Sequence, residues 1–473
     1  MANVYPVMVL LLMLACGPLR TTPDDGTDPT LHAVLVNGGG EPSANFDSHL
    51  AHLKETHVAL QSRGFRPQNI DVFDSDGGYP EPDQTFTWGD IEGEWGLVGT
   101  DYEHLTMGLP VRDSVWDVER RPATREALGQ WRSRAPLTDD DVLLFWVTDH
   151  GTEQGLSLWY EDLLHDDLPA LLDTPAREVV VMNQCYAGGF SDVLEGDQCG
   201  LFAVPGDRMS FGCYPMLDER TGHAFAYVEA LKHTSTLEEA HGYVSLWDDA
   251  PDVPMLSSDV LLARHIDDEQ LQRLLHERGV TRLNEIEAVH RLTQRFELPV
   301  VHTVGELMAA IERDRRAMEE AEYAVGAWFE VLATANRLLT DDLVWPELDE
   351  RPPEEALRVA SAAVKDHAGS RWGVIQSLKD RVEQAQEAYM ARSLREAARQ
   401  RQLVMTRREA TASLPMQVTD RLEQLRACET EPLGTPPDPA RPHMPRARWT
   451  DHDVQPPAGL PYSWEGVEAV LKR

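Results

Sequence analysis

A histidine and a cysteine each stand just beyond a run of apolar residues. Thr148-Asp149-His150-Gly151 follows the run at residues 142 to 147, and Gln184-Cys185-Tyr186-Ala187-Gly188-Gly189 follows a second at residues 179 to 182. Imidazole and thiol together do nucleophilic chemistry: the imidazole takes the thiol proton, favours the thiolate and later protonates a leaving amine. Gly151 lets the backbone pass close to a reacting carbonyl, so its N–H and that of Cys185 are the expected oxyanion donors. Gly188 and Gly189 are expected to permit a sharp exit from the strand. A lone His or Cys at a strand end is more often structural than reactive, and it is the pair with flanking glycines that turns the reading towards a cysteine hydrolase. Asp149 is expected to be structural, because neighbours on a strand point to opposite faces.

The two runs are β-branched and apolar on both faces, the pattern of central strands in a parallel sheet, where ligand chemistry gathers outside the carboxyl ends. Upstream, residues 31 to 36 read as a strand ending in Asn37-Gly38-Gly39-Gly40. Residues 45 to 64 read as a helix, with Leu50, Leu53, His57 and Leu60 at helical spacing, and residues 70 to 73 as a second strand. This is the crossover unit of a parallel sheet. No Gly-Lys-Ser/Thr follows the glycine triplet, which argues against a nucleotide loop. Residues 75 to 136, rich in Gly, Pro, Asp and Trp, read as a long surface excursion that carries substrate contacts. Residues 201 to 204 and 209 to 213 read as short strands, with Ser210 as a substrate contact, and residues 223 to 231 as a helix.

From about residue 260 strand signals vanish. Thr303-Val304-Gly305-Glu306 has the form of a capping box, and Leu307, Ile311, Met318, Ala321, Val325 and Trp328 keep a helical stripe beyond it. A shorter helix at residues 354 to 367 follows Pro352-Pro353, and a second long helix is expected from residue 372 to about 411. The expected fold class is therefore α/β, a mostly parallel sheet flanked by helices, followed by an all-α helical bundle or hairpin. The division reads as a signal segment at residues 1 to 16, a tether at 17 to 30, the sheet domain at 31 to 258, a helical domain at 259 to 430, and a Pro-rich tail at 431 to 473, extended over residues 431 to 461.

Composition bounds the partners. The 473 residues are too many for one ordinary domain. With 43 Lys and Arg against 80 Asp and Glu, the net charge of −37 repels polyphosphate, so no nucleic acid is expected. An apolar content of 42% argues against wholesale disorder and a multi-span membrane protein. Residues 7 to 15 form an apolar run too short to span a bilayer, ending in Leu14-Ala15-Cys16-Gly17. This is similar to a bacterial lipoprotein signal with Cys16 lipidated, although no Lys or Arg precedes Val7 and Met13 stands where leucine is usual. A cell-envelope location is expected, anchored through the lipid or secreted. With Cys16 and Cys185 assigned, Cys199, Cys213 and Cys428 form an odd set, within which a bridge from Cys199 to Cys213 is one pairing compatible with the sequence. Arg392, Arg395, Arg399, Arg401, Arg407 and Arg408 on one helix read as a solvated face, or as a surface docking on the acidic sheet domain or on anionic lipid. Nothing in the sequence calls for a metal or a cofactor.

Strand-Thr-Asp-His-Gly followed by strand-Cys-x-x-Gly resembles the legumain-type branch of the caspase and hemoglobinase superfamily of cysteine peptidases. Asn45-Phe46-Asp47-Ser48-His49 is similar to that branch's Asn-Tyr-Arg-His, and the likeness spans roughly residues 31 to 232. The resemblance implies a caspase-like fold, a His150 and Cys185 dyad, Gly151 in the oxyanion hole and Asn45 as a polar support near His150. It places Asn45, Asp47 and His49 on the substrate side. Departures are visible: Tyr186 stands where the branch has glutamate, and Asp47 where it has the arginine of its specificity pocket. An aspartate there would favour a Lys or Arg before the scissile bond of a protein or peptide substrate. By the same analogy, the helical half is expected to act as an intramolecular regulatory domain. The expected function is a cysteine endopeptidase. The alternatives are a catalytically inactive scaffold on the same fold, or a transpeptidase using the same dyad.

Overall fold

The computed structural model describes residues 30–79, 81–85, 94–106, 110–112, 114–211, 222–348, 350–410, 414–436, 450–459 and 462–472. The signal segment with Cys16, and Cys213, lie outside them. Seven strands make the central sheet: β1 (Leu31–Asn37), β2 (Ile70–Asp74), β3 (Arg120–Arg121), β4 (Val142–Val147), β5 (Arg177–Met182), β6 (Cys199–Phe202) and β7 (Met255–Leu256). Their spatial order is β7-β6-β5-β4-β1-β2-β3. All neighbours are parallel except β7, which runs antiparallel to β6. The strand order reverses between β1 and β4, and a crevice opens at such a switch point outside the carboxyl ends.

The central strands are buried on both faces, as their unbroken apolar runs require; all six residues of β4 are buried, Trp146 completely. Thirteen helices are described, and α1 (Asp47–Ser62), α2 (Arg125–Arg132), α3 (Leu168–Leu172), α4 (His223–His233) and α5 (Leu237–Trp247) flank the sheet. On one face Val34, Phe145, Val180 and Phe202 pack against Leu128 and Trp131 of α2 and Leu171 and Leu172 of α3. On the other, Leu35, Trp146 and Val181 pack against Leu53 and Leu60 of α1, Leu231 of α4 and Val244 of α5. Successive strand residues point to opposite faces, so a single strand feeds both cores.

The remainder is helical: α6 (Ser257–His265), α7 (Asp268–Glu277), α8 (Glu287–Arg295), α9 (Val304–Thr340), α10 (Pro353–Ala368), α11 (Trp372–Glu409), α12 (Met416–Thr430) and α13 (Trp464–Leu471). At the start of α9, Thr303 Oγ1 accepts the Glu306 N–H at 3.1 Å as the expected N-cap, while the Glu306 carboxylate takes the N–H of His302 at 2.7 Å instead of that of Thr303, so the reciprocal half of the box is shifted by one residue. Asp314 faces Arg399 and Trp328 faces Arg381, so α9 and α11 are antiparallel.

The helical half does not stand apart from the sheet. Ala397 and Val404 of α11 belong to one face's core, and Leu425 and Cys428 of α12 to the other's. Cys199 of β6 is bridged to Cys428, so the pairing with Cys213 is not made. The bond joins β6 to α12, which the sequence separation of 229 residues hides.

Four further expectations are corrected. Residues 209 to 211 form no strand, and the rest of that segment lies outside the described residues. The excursion at 75 to 136 contains β3 and α2, and Leu97, Val98 and Leu105 are buried against α9 and α10 rather than spread on the surface. The Pro-rich tail ends in α13, whose Val467 is buried. The arginine row is divided: Arg395 is exposed and shares Asp451 with Arg392, Arg399 is buried against Asp314 of α9, Arg401 is buried, and Arg408 pairs with Glu238 of α5 and Asp259 of α6. Arg401 and Arg408 thus dock on the segments that flank the sheet, while Arg392, Arg395 and Arg399 pair within the helical half and with Asp451.

Candidate active site

Strands β4 and β5 pair in register, Val147 opposite Met182, so His150 and Cys185 each lie three residues beyond equivalent positions on strands about 5 Å apart. The two chain exits touch. A Cβ on Gly151 would lie 2.3 Å from the Cys185 carbonyl oxygen and 2.6 Å from Gln184 Cγ, a spacing only glycine allows. The strand exit turns at Tyr186, held at φ 58° in the left-handed region, rather than at Gly188 or Gly189. Gly188 serves close approach instead, since a Cβ there would lie 2.8 Å from the Gly206 nitrogen.

The His150 ring is fixed from three sides. Its Nε2–H donates to the Ala44 carbonyl at 2.8 Å, which leaves Nδ1 as the unprotonated nitrogen of the neutral ring. Phe46 and His49 meet it edge-on, with centroids 4.9 and 5.0 Å away. Burial lowers the His150 pKa and the Ala44 hydrogen bond opposes this, the net direction being below the ordinary value. A neutral base results. Cys185 is a half-buried free thiol. Its Sγ accepts the Ser210 N–H at 3.3 Å, and its S–H donates to the Ser210 carbonyl at 3.6 Å. An N–H aimed at sulfur favours the thiolate.

Gly151 also forms an isolated bridge with Leu156. The hydrogen bonds of that bridge run from Ser157 N–H to His150 O and from Thr152 N–H to Gly155 O. The bridge therefore makes no use of the Gly151 N–H.

Asp149 is structural, as expected. Fully buried, its carboxylate accepts the N–H groups of Gly38 and Gly39 and, at 2.6 Å, that of His150. It ties the end of β1 to the end of β4 and occupies the N–H groups of the glycine turn. Burial pushes its pKa up while the three N–H donors pull it down.

The other expected contacts are distributed differently. Asn45 is 1% exposed; it accepts from Asn37 Nδ2 at 3.0 Å and donates to the Asp83 carbonyl at 2.8 Å, so the group on His150 is the carbonyl of Ala44 next to it. His49 is also 1% exposed and neither ring nitrogen has a hydrogen-bond partner among the described residues. Burial, then His150 and His52, hold its pKa well below the ordinary value, so it is neutral packing under His150 and not a substrate contact. Asp47 is half-buried in the first turn of α1, where its charge suits the helix N-terminus. Ser210 is buried and meets the thiol through its backbone.

A buried polar network beside the site escaped the sequence reading. Asp74 at the end of β2 accepts from Asn37 at 2.9 Å and pairs with Arg120 at 2.7 Å, and Arg120 and Asp83 both bind Ser114. It reaches the segment carrying Ala44 through Asn37 and Asn45. The only signal was a polar residue ending an apolar strand. Among the described residues no group of three His, Cys, Asp or Glu side chains could hold a metal ion, and no helix is long and apolar enough to cross a membrane. No protein-family model matches the chain, and no curated protein matches it.

Proposed function

We propose that the protein is a cysteine-type endopeptidase, of the legumain-like kind its motifs resemble, acting through His150 and Cys185. The observation that carries the reading is a free thiol and an oriented neutral imidazole at the in-register ends of adjacent parallel strands. Cys185 Sγ bonds to the peptide carbonyl carbon while the thiol proton passes to His150 Nδ1. The carbonyl oxygen becomes an oxyanion held by the N–H groups of Gly151 and Cys185. The C–N bond then breaks as His150 returns the proton to the leaving amine. Water, deprotonated by His150, attacks the thioester, the C–S bond breaks, and a carboxylic acid and the thiol are released. The mostly parallel sheet flanked by helices is compatible with a caspase-like fold. Asp47 beside this segment supports a preference for Lys or Arg before the cleaved bond.

Export belongs to the same proposal. Residues 7 to 17 support it, and so does the disulfide between Cys199 and Cys428, a bond that persists in oxidising compartments.

The test is a fluorogenic peptide panel varied at the residue before the cleaved bond, run on wild type, Cys185→Ala and His150→Ala. Wild type is expected to turn over Lys or Arg peptides best, with both variants down by at least about a thousandfold. Turnover surviving in Cys185→Ala sinks the nucleophile assignment. Folded wild type silent on every peptide moves the reading to a scaffold.

A further inference from the structure

The thiol is held by a loop that is itself held by the helical half. Residues 205 to 211 leave β6 and grip the nucleophile and the residue after it: the Arg208 carbonyl accepts the Tyr186 N–H at 2.8 Å, and Ser210 sends its N–H to Cys185 Sγ at 3.3 Å. The outer side of this loop meets α11. The Arg208 guanidinium pairs at 2.7 Å with Glu396, whose side chain is 2% exposed, and also donates to the Pro251 carbonyl at 3.1 Å. The Phe211 N–H donates to Asp252 at 2.9 Å, and the Phe211 ring lies 6.0 Å from that of Tyr389. Asp252 in turn sits on a chain segment fixed by Arg401, whose buried guanidinium donates to the carbonyls of Ser245, Asp248, Ala250 and Asp252 at 2.7 to 3.0 Å.

We infer that α11 is a working part of the nucleophile's site, with Glu396 and Arg401 as positioning residues that act on Cys185 through Arg208 and through Asp252 and Phe211. The inference rests on reading Cys185 as the nucleophile. A buried ion pair fixes direction as well as distance, because Arg208 can meet Glu396 only while the loop stays against Tyr186 and Cys185. The Ser210 N–H then remains aimed at sulfur and favours the thiolate. Release of the loop withdraws that N–H together with the Ser210 carbonyl that accepts the S–H, and because the N–H is the nearer of the two and gains most from a negative sulfur, the thiol pKa rises. The helical half therefore sustains reactivity, where a detachable inhibitory cap would suppress it.

Iodoacetamide alkylation of Cys185 in the full-length protein, followed from pH 5 to 10 by mass spectrometry of the Cys185 peptide, reads this without any peptidase assay. Arg208→Gln and Glu396→Gln are expected to move the alkylation profile to higher pH, slowing the reaction near neutrality about tenfold. Arg208→Lys, which keeps the charge, is expected to stay nearer wild type. Profiles of both Gln variants superimposed on wild type overturn the inference. So does an equal shift in all three variants that tracks their loss of thermal stability, the mark of a merely structural role. Far-UV circular dichroism checks folding, and if Arg208→Gln unfolds, Glu396→Gln decides. Peptide cleavage absent in wild type would defeat the peptidase reading and leave this measurement standing.

Discussion

A neutral imidazole can act as a base only at its unprotonated nitrogen, and at His150 the Ala44 carbonyl makes this Nδ1 by engaging Nε2–H. Burial adds a second effect, since it disfavours the imidazolium and lowers the pKa. Under the proposed mechanism activity is lost as pH falls and His150 becomes protonated. The acid limb of kcat/KM is therefore expected to inflect below 6.5, the ordinary histidine value. A pH profile on the best panel peptide checks this. An acid limb inflecting above that value would show that burial does not hold the His150 imidazole neutral. Asp149 and His49 show how much of a site can be support. One ties β1 to β4 through the turn N–H groups and the other packs uncharged beneath the base. Both are buried.

At the scale of elements, the contact of α12 with α6 buries a carboxylate. Glu429 is 1% exposed and accepts the N–H and hydroxyl of Ser258 at 2.8 and 2.6 Å, with Asp259 and Arg408 beside it. Burial is the largest influence and pushes its pKa up to about 8 from an ordinary 4.5. Between those values the unfolded chain has lost the proton that the folded chain keeps, so this residue makes stability fall as pH rises. Below 4.5 it contributes no slope, and above about 8 none again. Glu429→Gln is expected to flatten the decline in folding free energy between pH 5 and 8, measured by urea unfolding across that range. An unchanged slope would show that Arg408 keeps the group ionised in the fold.

Over the whole molecule, two halves of different composition are fastened by means that sequence order conceals. Both sheet cores contain side chains from α11 or α12, and the bridge from Cys199 to Cys428 closes a loop of 229 residues. Closing so long a loop restricts the unfolded chain by up to about 5 kcal/mol. Cys428→Ser is therefore expected to lower the denaturant midpoint of the sheet and the helical half together. Separate transitions, or a midpoint that does not move, would show that the halves are stable without the bond. The charge of −37 makes the buried arginines of α11 understandable: their carbonyl and carboxylate partners lie in an acidic chain that a guanidinium can bind with several directed donors.

The sequence by itself determined the elements whose signal is local. The apolar run of β4 matched the strand Val142–Val147, Thr303 and Glu306 fixed the start of α9, and His150 and Cys185 were recognisable as residues closing neighbouring strands. Each depends on side chains a few positions apart, where periodicity and capping act. Only the tertiary structure decided which groups meet across the chain. The carbonyl of Ala44 carries no residue-type signal, the network of Asp74, Arg120 and Asp83 is scattered over weakly patterned sequence, and the partner of Cys199 was a choice among several. The arginine row looked like surface because charge favours water. Packing against α5, α6 and the segment after α5 turned Arg401 and Arg408 inward, where directed hydrogen bonds and ion pairs replace the water that a sequence pattern assumes.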